Sequence, residues 1–171
     1  MADRIVRIGI IGCGGIANGK HMPSLKSLDN VEMVAFCDII EERAQKAAEE
    51  FGVEGAKVYT DYRELIKDTT IEAVHVCTPN SSHSFITIDS LKAGMHVMCE
   101  KPMAKTYAEA VDMLEAAKKT GKKLTIGYQN RFRQDSLYLK ELTQNGELGD
   151  IYYAKAQAIR RRGVPTWGVF T

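Results

Sequence analysis

The sequence lacks any long apolar run and any marked excess of charge of one sign. No stretch approaches the roughly 18 consecutive apolar residues that a membrane-spanning helix requires. Lysine and arginine (23) nearly balance aspartate and glutamate (22), for a formal net charge of +1. No overall field therefore draws the chain to nucleic acid or to an anionic membrane. The short basic run at 160–162 is interpreted as a solvated or substrate-facing strand end, so we expect neither nucleic acid nor membrane as a partner.

Paired-cysteine motifs are also missing. The four cysteines are Cys13, Cys37, Cys77 and Cys99. They form no CxxC unit and have no histidines at zinc-ligand spacing, so no metal site is expected. Free thiols in a reducing compartment are the simplest interpretation, and they predict a cytoplasmic protein. Their use as small buried hydrophobic residues is more common than a chemical role.

Short apolar runs alternate with amphipathic runs along the first 128 residues. The apolar runs predict strands at 5–11, 31–37, 57–59, 73–77, 96–99 and 124–128. Helical patterns between them predict helices at 16–28, 41–51, from Asp61, at 84–92, and from Thr106 to just before Gly121. Strands that are apolar on both faces and separated by helices are typical of a parallel sheet covered on each side. The sequence therefore predicts an α/β fold, a Rossmann-type doubly wound parallel sheet.

The pattern changes after Tyr128. Residues 136–145 have the spacing of an amphipathic helix, and residues 151–159 alternate as in an antiparallel strand. A single strand of this kind cannot bury either face alone. We therefore divide the chain into a Rossmann domain at 1–128 and the incomplete start of an α+β domain at 129–171.

The first predicted strand leads directly into a G-x-G-x-x-A pattern. Its residues are Gly12, Cys13, Gly14, Gly15, Ile16 and Ala17. Gly12 permits a tight turn, Gly14 lets a pyrophosphate approach the backbone, and Ala17 lets the helix pack closely on the strand. The helix N-terminus then offers unpaired N–H groups to the phosphates. A purely structural turn is the alternative, but the position between strand and helix favours a dinucleotide site.

Asp38 follows the second predicted strand, 21 positions after Ala17. A carboxylate there accepts hydrogen bonds from the adenosine ribose hydroxyls. Ile39 and Ile40 offer no positive charge to a 2′-phosphate, which favours NAD over NADP. Arg43, one helical turn further on, is counted among the cofactor-contacting residues and is the one that would complicate this preference. As an alternative, Asp38 caps the next helix, a role compatible with ribose binding.

Two further motifs follow the fourth and fifth predicted strands. They are Cys77-Thr78-Pro79-Asn80 with His83, and Glu100-Lys101-Pro102. With these motifs the chain resembles the Gfo/Idh/MocA family, the glucose–fructose oxidoreductase and inositol dehydrogenase group. The matching segments are GIIGCGGIA, CTPNSSH, AGMHVMCEKPMAKT and GYQNRF. The resemblance therefore covers almost the whole chain.

The resemblance implies hydride transfer between NAD and a secondary alcohol of a sugar, polyol or cyclitol. On the nicotinamide side it implies cofactor contacts from Cys77, Thr78, Pro79, Asn80, His83, Glu100 and Asn130. Lys101 would be the catalytic residue, buried near other positive charge, where it contacts the cofactor and polarises the substrate hydroxyl. Pro102 would fix the turn, often as a cis proline, and Arg131 would border the cleft.

Simpler interpretations exist for several of these residues. Thr78-Pro79-Asn80 can be a plain turn, His83 a helix cap, and Lys101 a surface ion pair with Glu100. His21 and His96 are expected to serve packing or to lie on helix faces.

The family resemblance also implies a larger second domain with a catalytic histidine, which we expect to lie beyond Thr171. The chain alone is therefore expected to lack activity and to assemble as a homo-oligomer through its C-terminal sheet. An NAD-dependent glycosidase of the same fold and a non-catalytic NAD-binding regulator remain alternative functions.

Overall fold

The computed structural model describes residues 4–159 and 161. The chain forms two compact units, one ending at Gly127 and the other beginning at Tyr128. Each unit is described by itself.

The first unit contains one parallel sheet of six strands. They are β1 (Val6–Ile11), β2 (Val31–Cys37), β3 (Lys57–Tyr59), β4 (Ala73–Val76), β5 (His96–Cys99) and β6 (Leu124–Ile126). Their order is β3-β2-β1-β4-β5-β6, and every neighbouring pair is parallel. The order reverses between β1 and β4, the point where such sheets bind ligands at their carboxyl edge. The predicted doubly wound sheet is confirmed.

Six α-helices lie along the described chain. They are α1 (Met22–Lys26), α2 (Glu41–Phe51), α3 (Tyr62–Leu65), α4 (His83–Lys92), α5 (Tyr107–Thr120) and α6 (Gln134–Gln144). The predicted cap Asp61 accepts a hydrogen bond from the backbone N–H of Arg63. Thr106 and Glu109 form a reciprocal capping box at the start of α5, and Gly121 ends that helix with φ +66°. These polar groups satisfy backbone donors and acceptors that helix ends leave open.

The helix predicted at 16–28 is not a regular α-helix. A π-helical segment, Ala17–His21, runs directly into α1, and the Met22 N–H bonds to the Ala17 carbonyl five residues back. Pro23 follows at once and has no N–H to donate. The wider π-helical turn places Pro23 in the first turn of α1. The N–H groups of a first helical turn have no partner within the helix, so the missing proline donor costs no hydrogen bond there.

Two apolar clusters cover the faces of the sheet. One packs Ile10 and Phe36 of the sheet against Met22 of α1 and Ala44 of α2, and these side chains are fully buried. The other packs β4 and β5 against α3, α4 and α5, with residues such as Leu65, Val74, Leu91 and Met113 at its centre. Both faces are therefore closed, which explains why the strands are apolar on both sides.

The second unit begins with the 3-10 turn Gln129–Phe132 and continues into α6. The strand predicted at 151–159 is wrong for this chain, because these residues have no regular secondary structure and are exposed. A β-strand needs a neighbour to satisfy its backbone groups, and the described residues provide none for this segment. Across the described residues, no helix combines the length and apolar character needed to cross a membrane.

Candidate functional site

The turn after β1 packs tightly against the turn after β4. Gly12 has φ +94°, and a Cβ added there would lie 2.8 Å from the carbonyl carbon of Cys77 and 2.9 Å from the backbone nitrogen of Thr78. Its N–H donates to the Cys37 carbonyl over 2.7 Å. Only glycine meets both conditions, so the first glycine of the pattern fixes the geometry of the switch point.

The next two glycines border open space. A Cβ added to Gly14 or Gly15 would meet no atom within 4 Å. The Asn18 side chain donates from Nδ2 to the carbonyls of Cys13 (2.6 Å) and Gly14 (3.0 Å). It thereby closes the loop at the start of the helical segment, where N–H groups have no acceptor within the helix. This cradle fits a pyrophosphate. Sequence reasoning missed Asn18, because its amide donates to carbonyls of the preceding loop rather than capping the helix, and no capping pattern marks that contact.

Asp38 joins the loop to the end of β2. Its carboxylate is 8% exposed, with Oδ2 accepting from the Cys13 N–H and Oδ1 from the Ile40 N–H, both at 2.9 Å. The second bond closes a turn of two residues before α2. The alternative that Asp38 caps α2 is wrong, because the N-cap position is Ile40 and no side chain caps this helix. Each carboxylate oxygen can accept a further hydrogen bond. Beside it, Ile39 is 90% exposed, and Arg43 is exposed on α2.

The four cysteines are free and buried at this edge of the sheet. Burial raises the pKa of the Cys13 and Cys37 thiols to about 12 and that of Cys99 to about 11. It also holds the pKa of Cys77 well above its ordinary value. Thiols in this state are poor nucleophiles. The interpretation as small buried hydrophobic residues is confirmed.

His83 joins the two loops that follow β4 and β5. Its imidazole is fully buried, with Nε2 2.8 Å from the Thr78 carbonyl and Nδ1 2.8 Å from the Pro102 carbonyl. Both ring nitrogens therefore face main-chain oxygens, which favours a positioning role over direct cofactor contact. The cap interpretation is wrong, because α4 begins at His83 and its side chain makes no cap bond. Pro79 and Asn80 are exposed beside this loop, while Thr78 is half-buried.

Glu100, directly after β5, is held by three neighbours. Its Oε1 lies 2.8 Å from His21 Nε2, and its Oε2 accepts from the Lys101 N–H over 3.0 Å. A Cβ added to Gly127 would lie 3.1 Å from Oε1, so the backbone there approaches the carboxylate closely. His75 of β4 continues the chain, with its Nδ1 3.0 Å from Nδ1 of His21.

His21 is buried in a helical segment, in line with the packing or helix-face role expected for it, but its ring also bonds to Glu100 and His75. His21 and Glu100 are 79 residues apart, and no spacing rule links them. The one sequence signal was the histidine at 75, a polar side chain in an otherwise apolar strand.

Lys101 is exposed, so its expected burial is not found in the described chain. It follows the end of β5 in a turn, beyond the apolar clusters that cover the sheet. The peptide bond from Lys101 to Pro102 is cis, as expected for Pro102. Asn130 and Arg131 lie exposed in the second unit, and their cofactor or cleft roles stay predictions.

Comparison with known proteins adds a family and its relatives. Residues 6–128 match the model of Gfo/Idh/MocA, described as an oxidoreductase family with an NAD-binding Rossmann fold. Over all 171 residues the chain is 41% identical to D-glucoside 3-dehydrogenase of Escherichia coli K12, of which it covers 48%. The chain spans about half the length of the curated relatives it matches.

Two solved structures illustrate the fold similarity. The WlbA dehydrogenase from Bordetella pertussis, in complex with NADH and UDP-GlcNAcA, aligns with a TM-score of 0.81 at 29% identity, covering 89% of this chain and 43% of that one. A 3-ketoreductase from Actinomadura kijaniata, in complex with NADP and TDP-benzene, aligns with a TM-score of 0.76 at 25% identity, covering 84% of this chain and 43% of that one.

Proposed function

Since the chain belongs to the Gfo/Idh/MocA family of oxidoreductases, we propose that it is the cofactor-binding part of an NAD-dependent dehydrogenase. The reaction is hydride transfer between nicotinamide and a secondary alcohol of a sugar, polyol or cyclitol. The observation that carries this proposal is the single bonded unit formed by the glycine loop and Asp38. A phosphate cradle and a ribose acceptor in one rigid piece suit a dinucleotide.

The residues that would hold the cofactor follow from that unit. N–H groups at Gly14 and Gly15 face the pyrophosphate, and the remaining lone pairs of Asp38 accept from the adenosine ribose. Thr78, Pro79, Asn80 and Glu100 extend the site along the same edge toward the nicotinamide. Ile16 and Arg43 also belong to the proposed set in this unit, and the cofactor contact expected from Asn130 stays a separate prediction.

The preference for NAD rests on charge. Asp38 would meet a 2′-phosphate with like charge in a nearly water-free position, where repulsion is strong. Ile39 and Ile40 supply no compensating cation. Solved neighbours hold NADH in one case and NADP in another, so the proposed preference is argued from the residues of this chain. Arg43 is the one nearby cation on α2 that works against it.

Lys101 is the proposed acid–base residue. When bound, nicotinamide dinucleotide supplies the hydride acceptor. The exposed ammonium group of Lys101 follows Glu100 directly, and its backbone N–H is fixed by the Glu100 carboxylate. In its neutral amine form, Nζ would take up the hydroxyl proton in alcohol oxidation, and the ammonium group so formed would return that proton in the reverse direction.

The substrate class follows the relative that acts on D-glucosides and the inositol dehydrogenases of the family. We place the protein in the cytoplasm because its four free cysteines suit a reducing compartment. We also propose a homo-oligomer, formed through the segment that follows α6.

Calorimetric titration with NAD and NADP tests the cofactor assignment. We expect NAD to bind at least about tenfold more tightly, the effect of one charged contact. Equal affinities or a preference for NADP would show that Asp38 does not bind the adenosine ribose. A screen of sugars and inositols with the protein that carries this chain should then yield NADH. Glycoside cleavage without net NADH would indicate the glycosidase, and binding without turnover would indicate the regulator.

A further inference from the structure

Three titratable side chains from three different elements meet behind the carboxyl edge of the sheet. His21 ends the π-helical segment, His75 lies in β4, and Glu100 follows β5. The His21 and His75 rings meet edge to face, with centroids 5.2 Å apart and planes at 90°. Neither histidine has a part in the proposed chemistry so far.

Both edges of the His21 ring are engaged. Nε2 faces the Glu100 carboxylate at 2.8 Å, and Nδ1 faces His75 Nδ1 at 3.0 Å. A rotation of the ring by half a turn would place carbon atoms opposite both partners and lose both bonds. The two partners together therefore fix the orientation of His21.

The hydrogen on His21 Nε2 follows from its partners. Burial lowers the pKa of His75 to about 4, and His21 beside it acts in the same direction, so His75 is neutral above that pH. A neutral His75 either donates from Nδ1 to His21 or accepts there from His21. A Glu100 carboxylate has no hydrogen to donate, so opposite a carboxylate His21 Nε2 carries the hydrogen and donates it.

Glu100 depends on that donor. Its side chain is nearly buried, and a carboxylate taken out of water is stable only when hydrogen bonds replace its hydration. Within the described part of the chain, the other donor to this carboxylate is the backbone N–H of Lys101. Gly127 restricts the space beside Oε1. Loss of the His21 bond would leave the carboxylate free to rotate away from its present orientation.

We propose that His21, oriented by His75, is a positioning residue that holds the Glu100 carboxylate aimed at the nicotinamide end of the cofactor site. It acts through Glu100 and touches neither substrate nor cofactor. The proposal rests on the proposed function for the identity of the ligand. The position of the hydrogen on the His21 ring, by contrast, is a property of the protein without any ligand.

The first experiment is independent of any ligand. The chain has four histidines, so long-range proton–nitrogen correlation spectra of the labelled protein resolve each ring, assigned by single substitutions. We expect a hydrogen on His21 Nε2 throughout the neutral range. A His21 ring protonated on Nδ1 alone would overturn the proposal.

The second experiment separates the two ends of the cofactor. His21→Leu should weaken NADH binding about tenfold but change ADP binding by less than about twofold, because ADP does not reach Glu100. His21→Gln, whose amide can donate to Glu100, should recover most of the loss. His96→Leu is the matched control, since His96 bonds to the Lys123 N–H at the opposite end of β5, and it should change neither affinity.

The outcomes are distinct. Unchanged NADH binding in His21→Leu, or an equal loss for ADP, would overturn the positioning role, because the second result indicates general damage to the glycine loop. Failure of the unsubstituted protein to bind either ligand would instead refute the proposed function and, with it, the cofactor part of this inference.

Discussion

The two units of the chain differ in the burial of their polar and apolar side chains. In the first unit the buried side chains of Asp38, His83 and Glu100 each bond to atoms from other segments of the chain. In the second unit none of the residues 128–159 is buried, and Tyr152 is 98% exposed. The first unit therefore has a defined site, whereas the second presents apolar side chains to solvent.

This difference shows what a local pattern can specify. Helix α6 forms where an amphipathic pattern was recognised, because a helix satisfies its backbone within the segment. The alternating segment at 151–159 has an equally clear pattern but forms no strand, because a strand needs hydrogen bonds from a neighbour. In the first unit the adjacent strands of the sheet supply these bonds, whereas the described residues of the second unit supply none for this segment.

The largest effect is expected at Lys101, where the first unit carries the proposed chemistry. In the protein that carries this chain, Lys101→Met should lower kcat by about a hundred- to ten-thousand-fold, the usual worth of acid–base assistance. The dissociation constant for NAD should change little, since the ammonium group serves the substrate. Steady-state kinetics and calorimetry measure the two. Near-normal turnover would indicate that Lys101 is a surface cation without a catalytic role.

A matched pair of glycines tests whether the site geometry and the fold can be separated. Gly12→Ala should reduce the free energy of unfolding by about 2 kcal/mol or more, because the new Cβ meets backbone atoms at an unfavourable φ. Gly14→Ala has open space and should leave stability nearly unchanged while weakening NAD binding. Denaturant unfolding and calorimetry give both numbers. Equal stability losses would contradict the distinction drawn between the two glycines.

Asp38 should show both kinds of effect at once. Asp38→Asn should weaken NAD binding by about 1–3 kcal/mol, as expected for charged hydrogen bonds. It should also loosen the glycine loop, since the asparagine NH2 group cannot accept a hydrogen bond. Either the Cys13 N–H or the Ile40 N–H therefore loses its acceptor. Hydrogen exchange at Cys13 reports the second effect. Unaltered NAD affinity with a loosened loop would make Asp38 purely structural.

A smaller effect compares ion pairs in the two units. Hydrogen bonds from Lys57 and from Thr70 lower the pKa of Asp68 to about 2. A lowered carboxyl pKa stabilises the fold above the unfolded value, and this contribution disappears as the pH falls from about 4 to about 2.

Because Lys57 is largely exposed, we expect Asp68→Asn to cost roughly 1 kcal/mol at neutral pH and to flatten stability in that acid window. Asp135→Asn, which breaks the exposed pair with Arg133 in the second unit, should have no measurable effect. Urea unfolding across the acid range compares them, and a larger loss at Asp135 would contradict the comparison.

The smallest change in stability is expected in the exposed segment. Replacing Ile151 and Tyr153 by serine should alter the free energy of unfolding by less than about 0.5 kcal/mol. The same double substitution should reduce self-association measured by light scattering, if this apolar segment joins copies of the protein. A clear loss of stability would show that the segment is packed within one chain.

Much of the first unit could be predicted because its signals are local. The six strands repeat as apolar runs, Asp61 and Thr106 stand where caps are needed, and Gly12 lies at a forced turn. The contacts of Glu100 could not be predicted, because His21 and His75 reach it only after distant strands align. The exposure of Lys101 also escaped prediction, since burial depends on what packs over a loop. Local chemistry is visible in a sequence, whereas convergence of distant residues is a property of the fold.

Asp38 accepts two backbone hydrogen bonds, and this has a consequence for any redesign of the protein to use NADP. Removing the carboxylate takes away the acceptor of the Cys13 N–H and of the Ile40 N–H together with the unwanted charge. A successful redesign must therefore replace both acceptors before any arginine is added for the extra phosphate, because a single serine or asparagine oxygen restores only one of the two bonds. The two carboxylate oxygens of Asp38 determine both the proposed cofactor preference and the geometry of the glycine loop. A substitution that changes the preference must therefore be accompanied by one that restores the loop.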